Sequence, residues 1–162
     1  MIIRPELPQD AAAIRALTTA AFATAPHASG TEAQIIDDLR KAGDLHLSLV
    51  AEQDGRLVGH VAFSPVQIAG ARGWVGLGPV SVLPDHQRAG VGSALIRAGL
   101  AQLKAGGVAG CVVLGDPGYY CRFGFARGGL RYPGPPPEYF QQLAFLPDPP
   151  SGIVSYAPAF GA

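Results

Sequence analysis

The sequence predicts an α/β fold in which a mixed, mostly antiparallel, twisted sheet is flanked by helices. Three observations predict it. Two alternating runs, Leu45 to Gln53 and Arg56 to Ser64, are joined by Asp54-Gly55, whose left-handed preference suits a tight hairpin, so this pair is antiparallel. Trp74 to Val82, Val91 to about Ala105 and Gly110 to Leu114 read as strand, long helix and strand, and a crossover helix makes such strands parallel. Helical spacing before the hairpin and strand-like runs after the crossover supply flanking helices and closing strands.

The elements follow in chain order. Met1 to Arg4 forms a short strand stopped by Pro5 and Pro8. Asp10 caps a helix with Ile14, Leu17 and Ala21 at helical spacing. After a loop with Pro26 and Gly30, Thr31-x-x-Gln34 reads as a capping box for a second helix carrying Ile35, Ile36 and Leu39. Lys41 and Gly43 close that helix. Gly76, Gly78 and Pro79 interrupt the strand over Trp74 to Val82, which suggests a bulge or a close backbone approach. The helix from Val91 is apolar on several faces, and Gly106-Gly107 ends it. Gly110 to Leu114 is a fully apolar strand of the kind that parallel sheets bury. Glu138 to Phe145 and Ile153 to Tyr156 are the closing strands. No internal repeat or boundary divides the chain, so residues 1–162 are expected to form one domain.

Composition narrows the function. Apolar residues make up 48% of the chain, which excludes disorder. Twelve basic residues balance twelve acidic ones, with no basic stripe, so a nucleic-acid partner is not expected. No apolar run is long enough to span a bilayer, so no membrane association is expected either. Cys111 and Cys121 lack disulfide or metal spacing and read as reduced thiols of a cytoplasmic protein. His27, His46, His60 and His86 have no partners at metal-ligand spacing, so no metal is expected. His60 reads as a hydrogen-bonded strand histidine and His86 as a solvated loop residue.

The most informative stretch is Val80-Ser81-Val82-Leu83-Pro84-Asp85-His86-Gln87-Arg88-Ala89-Gly90-Val91-Gly92-Ser93. A β-branched strand breaks at Pro-Asp and passes through a polar loop into a helix. Gly90 and Gly92 admit a ligand close to the backbone, and a helix start has N–H groups without intrahelical partners. Together these make a cradle for pyrophosphate. Gln87, Arg88, Ala89, Gly90, Val91, Gly92 and Ser93 are its candidate residues. The dinucleotide fingerprint fits poorly, because Pro84 to Ala89 separate the strand from the first glycine and the third glycine is Leu95. No Gly-Lys-Ser/Thr follows, which excludes a nucleotide triphosphate loop.

Gln87-Arg88-x-Gly90-x-Gly92 after a strand resembles the acetyl-CoA loop of the GCN5-related N-acetyltransferase (GNAT) superfamily. Leu114-Gly115-Asp116-Pro117-Gly118-Tyr119-Tyr120-Cys121-Arg122-Phe123-Gly124-Phe125 resembles its second signature, an aromatic helix running into Gly-Phe. Strong similarity covers roughly Leu77 to Phe125. The resemblance implies acetyl-CoA as co-substrate, with direct attack by an amine on its thioester. It implies that Val80, Ser81 and Val82 bind the pantetheine arm like an added strand, with Phe123 also against the cofactor. The strand over Gly110 to Gly115 would then be only partly paired.

Tyr120, four residues before Gly124, matches the family's tyrosine that protonates the departing thiolate. Its other reading is a packing aromatic beside Phe123 and Phe125. Tyr119 would point elsewhere on the helix. Some relatives place a Glu on the strand ahead of the cradle, but Val75-Gly76-Leu77-Gly78 has no carboxylate. Water, Glu32 or Asp116 could serve instead, Asp116 equally as a turn or helix cap. Trp74, Tyr132, Tyr139 and Tyr156 read as cleft-lining or packing aromatics. The expected acceptor is a small-molecule or peptide amine. A non-catalytic acyl-CoA-binding or sensing module is the alternative, and a homodimer packed on the proline-rich tail stays open.

Overall fold

The computed structural model describes residues 1–25 and 28–161. Pro26 and His27 lie outside the described residues. The strands are β1 (Ile2–Pro5), β2 (Leu47–Gln53), β3 (Arg56–Pro65), β4 (Gln67–Ile68), β5 (Trp74–Val82), β6 (Gly110–Leu114), β7 (Leu130–Arg131), β8 (Phe140–Ala144) and β9 (Gly152–Ser155). The helices are α1 (Ala11–Phe22), α2 (Glu32–Ala42), α3 (Val91–Ala105) and the single turn α4 (Pro117–Tyr120). The main sheet runs β1-β2-β3-β5-β6-β8. All its pairings are antiparallel except β5 with β6. This is the mixed, mostly antiparallel arrangement that the hairpin and the crossover predict.

The period of two in the strands sorts side chains onto two faces. Leu49, Ala51, Val61 and Phe63 pack with Leu95, Ile96, Leu100 and Leu103 of α3. On the opposite face Val50 meets Ile14 of α1 and Ile36 of α2. Val112 of β6 faces a third cluster with Trp74, Leu130, Phe140 and Val154. There β4, β9 and β7 form a small second sheet, whose two-residue strands are too short to leave a periodic signal in the sequence.

Asp54 and Gly55 both adopt positive φ, 53° and 75°, and close the β2–β3 hairpin as their chemistry requires. Gly43, at φ 75°, ends α2 while Asp44 N–H donates to Leu39 O at 2.9 Å. The two N-terminal caps differ from expectation. Asp10 gives α1 no side-chain cap; its carboxylate accepts from Leu7 N–H at 2.7 Å and pairs with Arg4. The Thr31/Gln34 capping box is not formed either. Gln34 donates along the helix to Asp38, and Glu32 instead accepts the loop N–H of Ser29 at 2.8 Å. The first closing strand starts at Phe140 rather than Glu138, since Pro137–Tyr139 form a 3-10 turn.

A buried polar network ties α2 to the sheet. The Arg40 guanidinium forks onto both Glu6 oxygens at 2.9 and 3.1 Å. Ser48 donates to Glu6, which leaves the Ser48 oxygen to accept from His60 Nε2 at 2.7 Å. His60 is fully buried, and its Nδ1 has no partner among the described residues. Burial holds the imidazole neutral, lowering its pKa to about 4 even though Glu6 acts in the opposite sense. Burial pushes the Glu6 carboxyl up, but hydrogen bonds from Arg40 and Ser48 outweigh it and keep the pKa below normal.

Acid lability follows. Between pH 6.5 and 4 the unfolded chain binds a proton at His60 that the folded chain refuses, so stability is whole above 6.5 and declines toward 4. The loss is on the order of 3 kcal/mol, and Glu6 extends it at lower pH. Urea midpoints at pH 7.0 and 5.0 test this. A lower midpoint at pH 5.0 is expected, and equal midpoints would contradict the account of His60.

Candidate active site

Two cavities lie along one broken strand. β5 loses register with β3 where Ala62 faces both Gly78 and Pro79, a bulge of one residue. On its other side β5 pairs with β6 from Trp74 only as far as Leu77, opposite Val113. Beyond that point the two parallel strands part. Leu83 N–H donates to Val58 O at 2.9 Å, so Ser81 and Leu83 turn their backbone groups toward β3. By the same alternation Val80 and Val82 turn theirs to the wedge between β5 and β6. Ser81 does not share that edge: its side chain is buried, with the hydroxyl 3.4 Å from Thr18.

At one end of the wedge, Pro84–His86 form a 3-10 turn and the chain reaches α3 through Arg88 (φ 63°) and Gly90 (φ 87°). The first intrahelical bond is Ala94 N–H to Gly90 O, and no side chain caps the helix. The N–H groups of Val91, Gly92 and Ser93 therefore have no partner among the described residues. They edge a cavity of about 370 Å³, which Val82, Gln87, Arg88 and Gly90 also line. Gln87 folds back to donate to Val82 O at 3.1 Å. Ala89 is exposed beside the cavity without lining it.

Three residues of this cradle were not legible in the sequence. Tyr119 does point away from Tyr120, but into the cradle, where its hydroxyl lies 3.2 Å from Ser93 Oγ. Arg122 stacks on the Tyr119 ring, 4.5 Å from its centroid. His86 is half-buried rather than solvated, and its Nδ1 is enclosed without a partner among the described residues. Neither Arg88 nor Arg122 forms an ion pair among the described residues. Unpaired N–H donors, two free guanidiniums and an enclosed imidazole nitrogen suit a polyanion. Phe123 lies outside the cradle lining. It packs on Tyr119, with the Arg97 guanidinium 4.9 Å above its ring, and so props α4 against α3.

At the other end of the wedge a cavity of about 460 Å³ is lined by Val80 and the bulge, by Phe22, Glu32 and Ile35 of the first two helices, and by Tyr120, Tyr132, Tyr156 and Phe160. Gly115 makes room for Tyr120, since a Cβ there would come 2.5 Å from the ring. Burial raises the Tyr120 phenol to about 12, helped by Tyr119, Cys111 and Asp116, so it stays protonated and has a proton to give. The Tyr156 ring lies over Gly76, where a Cβ would come within 2.7 Å of it. A ring therefore covers the strand at Gly76 and leaves no room for a side chain at that position. The Tyr156 hydroxyl is buried without a partner among the described residues, and burial raises its pKa too far for a phenolate base.

Glu32 supplies the cavity's carboxylate. Burial pushes its pKa up, but hydrogen bonds from Ser29, its own N–H and Gly30 prevail and hold it below the usual range. It is a fixed anion and a poor base. Asp116 is a helix cap, accepting from Gly118 N–H at 2.9 Å. Trp74 is buried over Gly110, and Tyr139 is exposed outside the cavity. Among the described residues no group of three or more His, Cys, Asp or Glu could hold a metal ion, and no helix is long and apolar enough to cross a membrane.

Comparison with known proteins agrees with this geometry. The sequence profile of the acetyltransferase (GNAT) family matches residues 11–125. The uncharacterized N-acetyltransferase YhbS of Escherichia coli K12 is 40% identical over 165 residues, covering 96% of each chain. A GNAT family acetyltransferase from Brucella melitensis, solved in complex with acetyl-CoA, is 56% identical, with TM-score 0.88 over 98% of this chain and 97% of that one. YhbS from Escherichia coli, solved in complex with CoA, superimposes with TM-score 0.90 at 38% identity, over 99% of this chain and 92% of that one. A cradle at a helix N-terminus, a strand that parts from its parallel neighbour and a profile match across both thus agree: the chain belongs to the acetyltransferase (GNAT) family.

Proposed function

We propose that the protein transfers an acetyl group from acetyl-CoA to a primary amine. The observation that carries this reading is the wedge between β5 and β6, which joins the cradle to the aromatic cavity along the open edge of Val80 and Val82. The cradle fits a pyrophosphate through the N–H groups of Val91, Gly92 and Ser93, with Arg88, Arg122 and His86 around it. Val80 offers its outward N–H and C=O, and Val82 its outward N–H, to the amides of a pantetheine arm, while Gln87 holds the Val82 C=O. The acetyl-CoA complex of the Brucella melitensis relative and the CoA complex of the Escherichia coli one support the same assignment. Ser81, Ala89 and Phe123 support the shape of the site without reaching into it.

Bound acetyl-CoA supplies an electrophilic thioester carbonyl. The amine nitrogen, neutral when it reacts, attacks that carbon; the C–N bond forms and the C–S bond breaks. Tyr120 gives its proton to the leaving sulfur, and the proton lost by the amine nitrogen returns through water to the phenolate. The products are the N-acetylamine and free CoA thiol. Positioning two substrates at one wedge provides much of the rate, because it replaces an encounter in solution with an oriented contact. No covalent intermediate on the protein is needed, and the exposed Cys121 plays no part.

Nothing lining the cavity is an efficient base near neutral pH, since Glu32 is held ionised and Tyr120 and Tyr156 are held protonated. The pH dependence of kcat/KM tests this. The rate is expected to climb tenfold per pH unit and bend at the pKa of the amine in use, shifting when a less basic amine replaces it. A bend near pH 6 to 7 that ignores the choice of amine would instead reveal an enzyme base.

A further inference from the structure

The acceptor cavity is specific enough in its chemistry to name a substrate class, an inference that rests on the acetyl-transfer reading above. Its lining has one charged side chain, Glu32, and five aromatic rings, those of Phe22, Tyr120, Tyr132, Tyr156 and Phe160. The rings form a continuous wall: Tyr132 meets Tyr156 edge-on at 5.0 Å between centroids, and Tyr156 meets Phe160 at 5.3 Å. Glu32 is anchored by two hydrogen bonds from Ser29, both onto Oε2, at 2.8 and 2.9 Å. No side chain donates to Oε1 among the described residues, and the carboxylate lines the cavity. The Tyr156 hydroxyl is buried with no partner among the described residues, so the wall offers no other polar contact that is already paired.

From this we infer that the acceptor is a small monoamine with one positive charge on an aromatic or aliphatic body, of the 2-phenylethylamine type. Glu32 draws the ammonium into the cavity before deprotonation, and the aromatic faces add cation–π attraction. The body lies against the rings, where edge and offset contacts add to its burial. A polyamine would leave a second ammonium in an apolar site with no carboxylate to meet it. An α-amino acid would bring its carboxylate beside Glu32 with no cation in this lining. A peptide would bury several amides against one hydroxyl.

The competing feature is a neighbouring cavity of about 490 Å³ on the far side of Tyr132, which Arg127 and Arg131 line. An acceptor reaching into it would have to carry an anionic group, so an acidic amine belongs in the test. The experiment compares kcat/KM of the protein for 2-phenylethylamine, spermidine, L-glutamate and an unblocked tetrapeptide at saturating acetyl-CoA. It then repeats the preferred amine with Glu32→Gln. 2-Phenylethylamine is expected to lead by about tenfold or more, the effect of one unmet or well-met polar group. Glu32→Gln should raise its KM by about tenfold while the dissociation constant for acetyl-CoA, which also reports folding, stays unchanged. A preference for spermidine, glutamate or the peptide, or an unaltered KM in Glu32→Gln, overturns the inference and leaves acetyl transfer standing. Acetyl-CoA binding with no amine acetylated at all overturns the acetyl-transfer reading, and the substrate class with it.

Discussion

Tyr120→Phe is expected to lower kcat by about a hundredfold or more, the range over which a positioned proton donor acts. The dissociation constant for acetyl-CoA and the KM for the amine should change little. Phenylalanine keeps the ring that fills the space over Gly115 and meets Phe125 edge-on at 6.0 Å, so the loss falls on the proton alone. The phenol of the wild type, raised to about 12, should stay protonated across the whole working range. The variant should therefore be depressed by a similar factor at every pH from 6 to 10. Steady-state kinetics across that range, with acetyl-CoA titration as a control, decides the matter. A kcat within threefold of wild type would give the proton to solvent and leave Tyr120 as packing.

Gly90→Trp is expected to weaken acetyl-CoA binding by about a hundredfold or to abolish it, with the fold retained by circular dichroism. Two effects combine. At φ 87° any side chain costs roughly 1–2 kcal/mol of backbone strain. The indole also spreads across the mouth of the 370 Å³ cradle and covers the N–H groups of the first turn of α3. Gly90→Ala separates them, because a Cβ at this position meets nothing within 4 Å. Alanine should bring the strain without the obstruction and cost only a few-fold in affinity. Isothermal titration of both variants is the measurement. Equal affinity in wild type and Gly90→Trp would move the pyrophosphate elsewhere.

Local chemistry explains which parts of the fold were legible. The β2–β3 hairpin was readable because Asp54-Gly55 makes its own turn, and α3 because Gly90 and Gly106 bracket one apolar helix. The wedge was foreseen only through resemblance, since Gly78-Pro79 signals a disturbance without its direction. The capping box failed at α2 because Ser29 takes both Thr31 groups that it needs. Ser29 Oγ accepts the Thr31 N–H at 3.2 Å and shares a hydrogen bond with Thr31 Oγ1 at 2.6 Å, while Gln34 donates to Asp38.

The backbone part of the cradle was legible because its N–H donors come from one continuous segment, whereas Tyr119 and Arg122 reach it from α4 and the turn after it. The aromatic cavity was legible only in pieces: Tyr120, Glu32, Tyr132 and Tyr156 were candidates singly, but Phe22 and Phe160 were missed and nothing joined them, because the wall gathers the first two helices and the late chain. Tyr119 illustrates the same limit. Successive helical residues diverge by about 100°, so its separation from Tyr120 was predictable. That it faces the N-terminus of α3 is a fact of packing alone.

The most direct test of acetyl transfer is to follow both products when wild-type protein meets acetyl-CoA and a set of primary amines. CoA thiol is read by absorbance and N-acetylamine by mass spectrometry. The predicted result is one N-acetylamine for each thiol released, with no acetylated protein accumulating. Saturable acetyl-CoA binding without any acetylated amine would contradict it, and would make the chain an acyl-CoA-binding or sensing module built on an acetyltransferase fold.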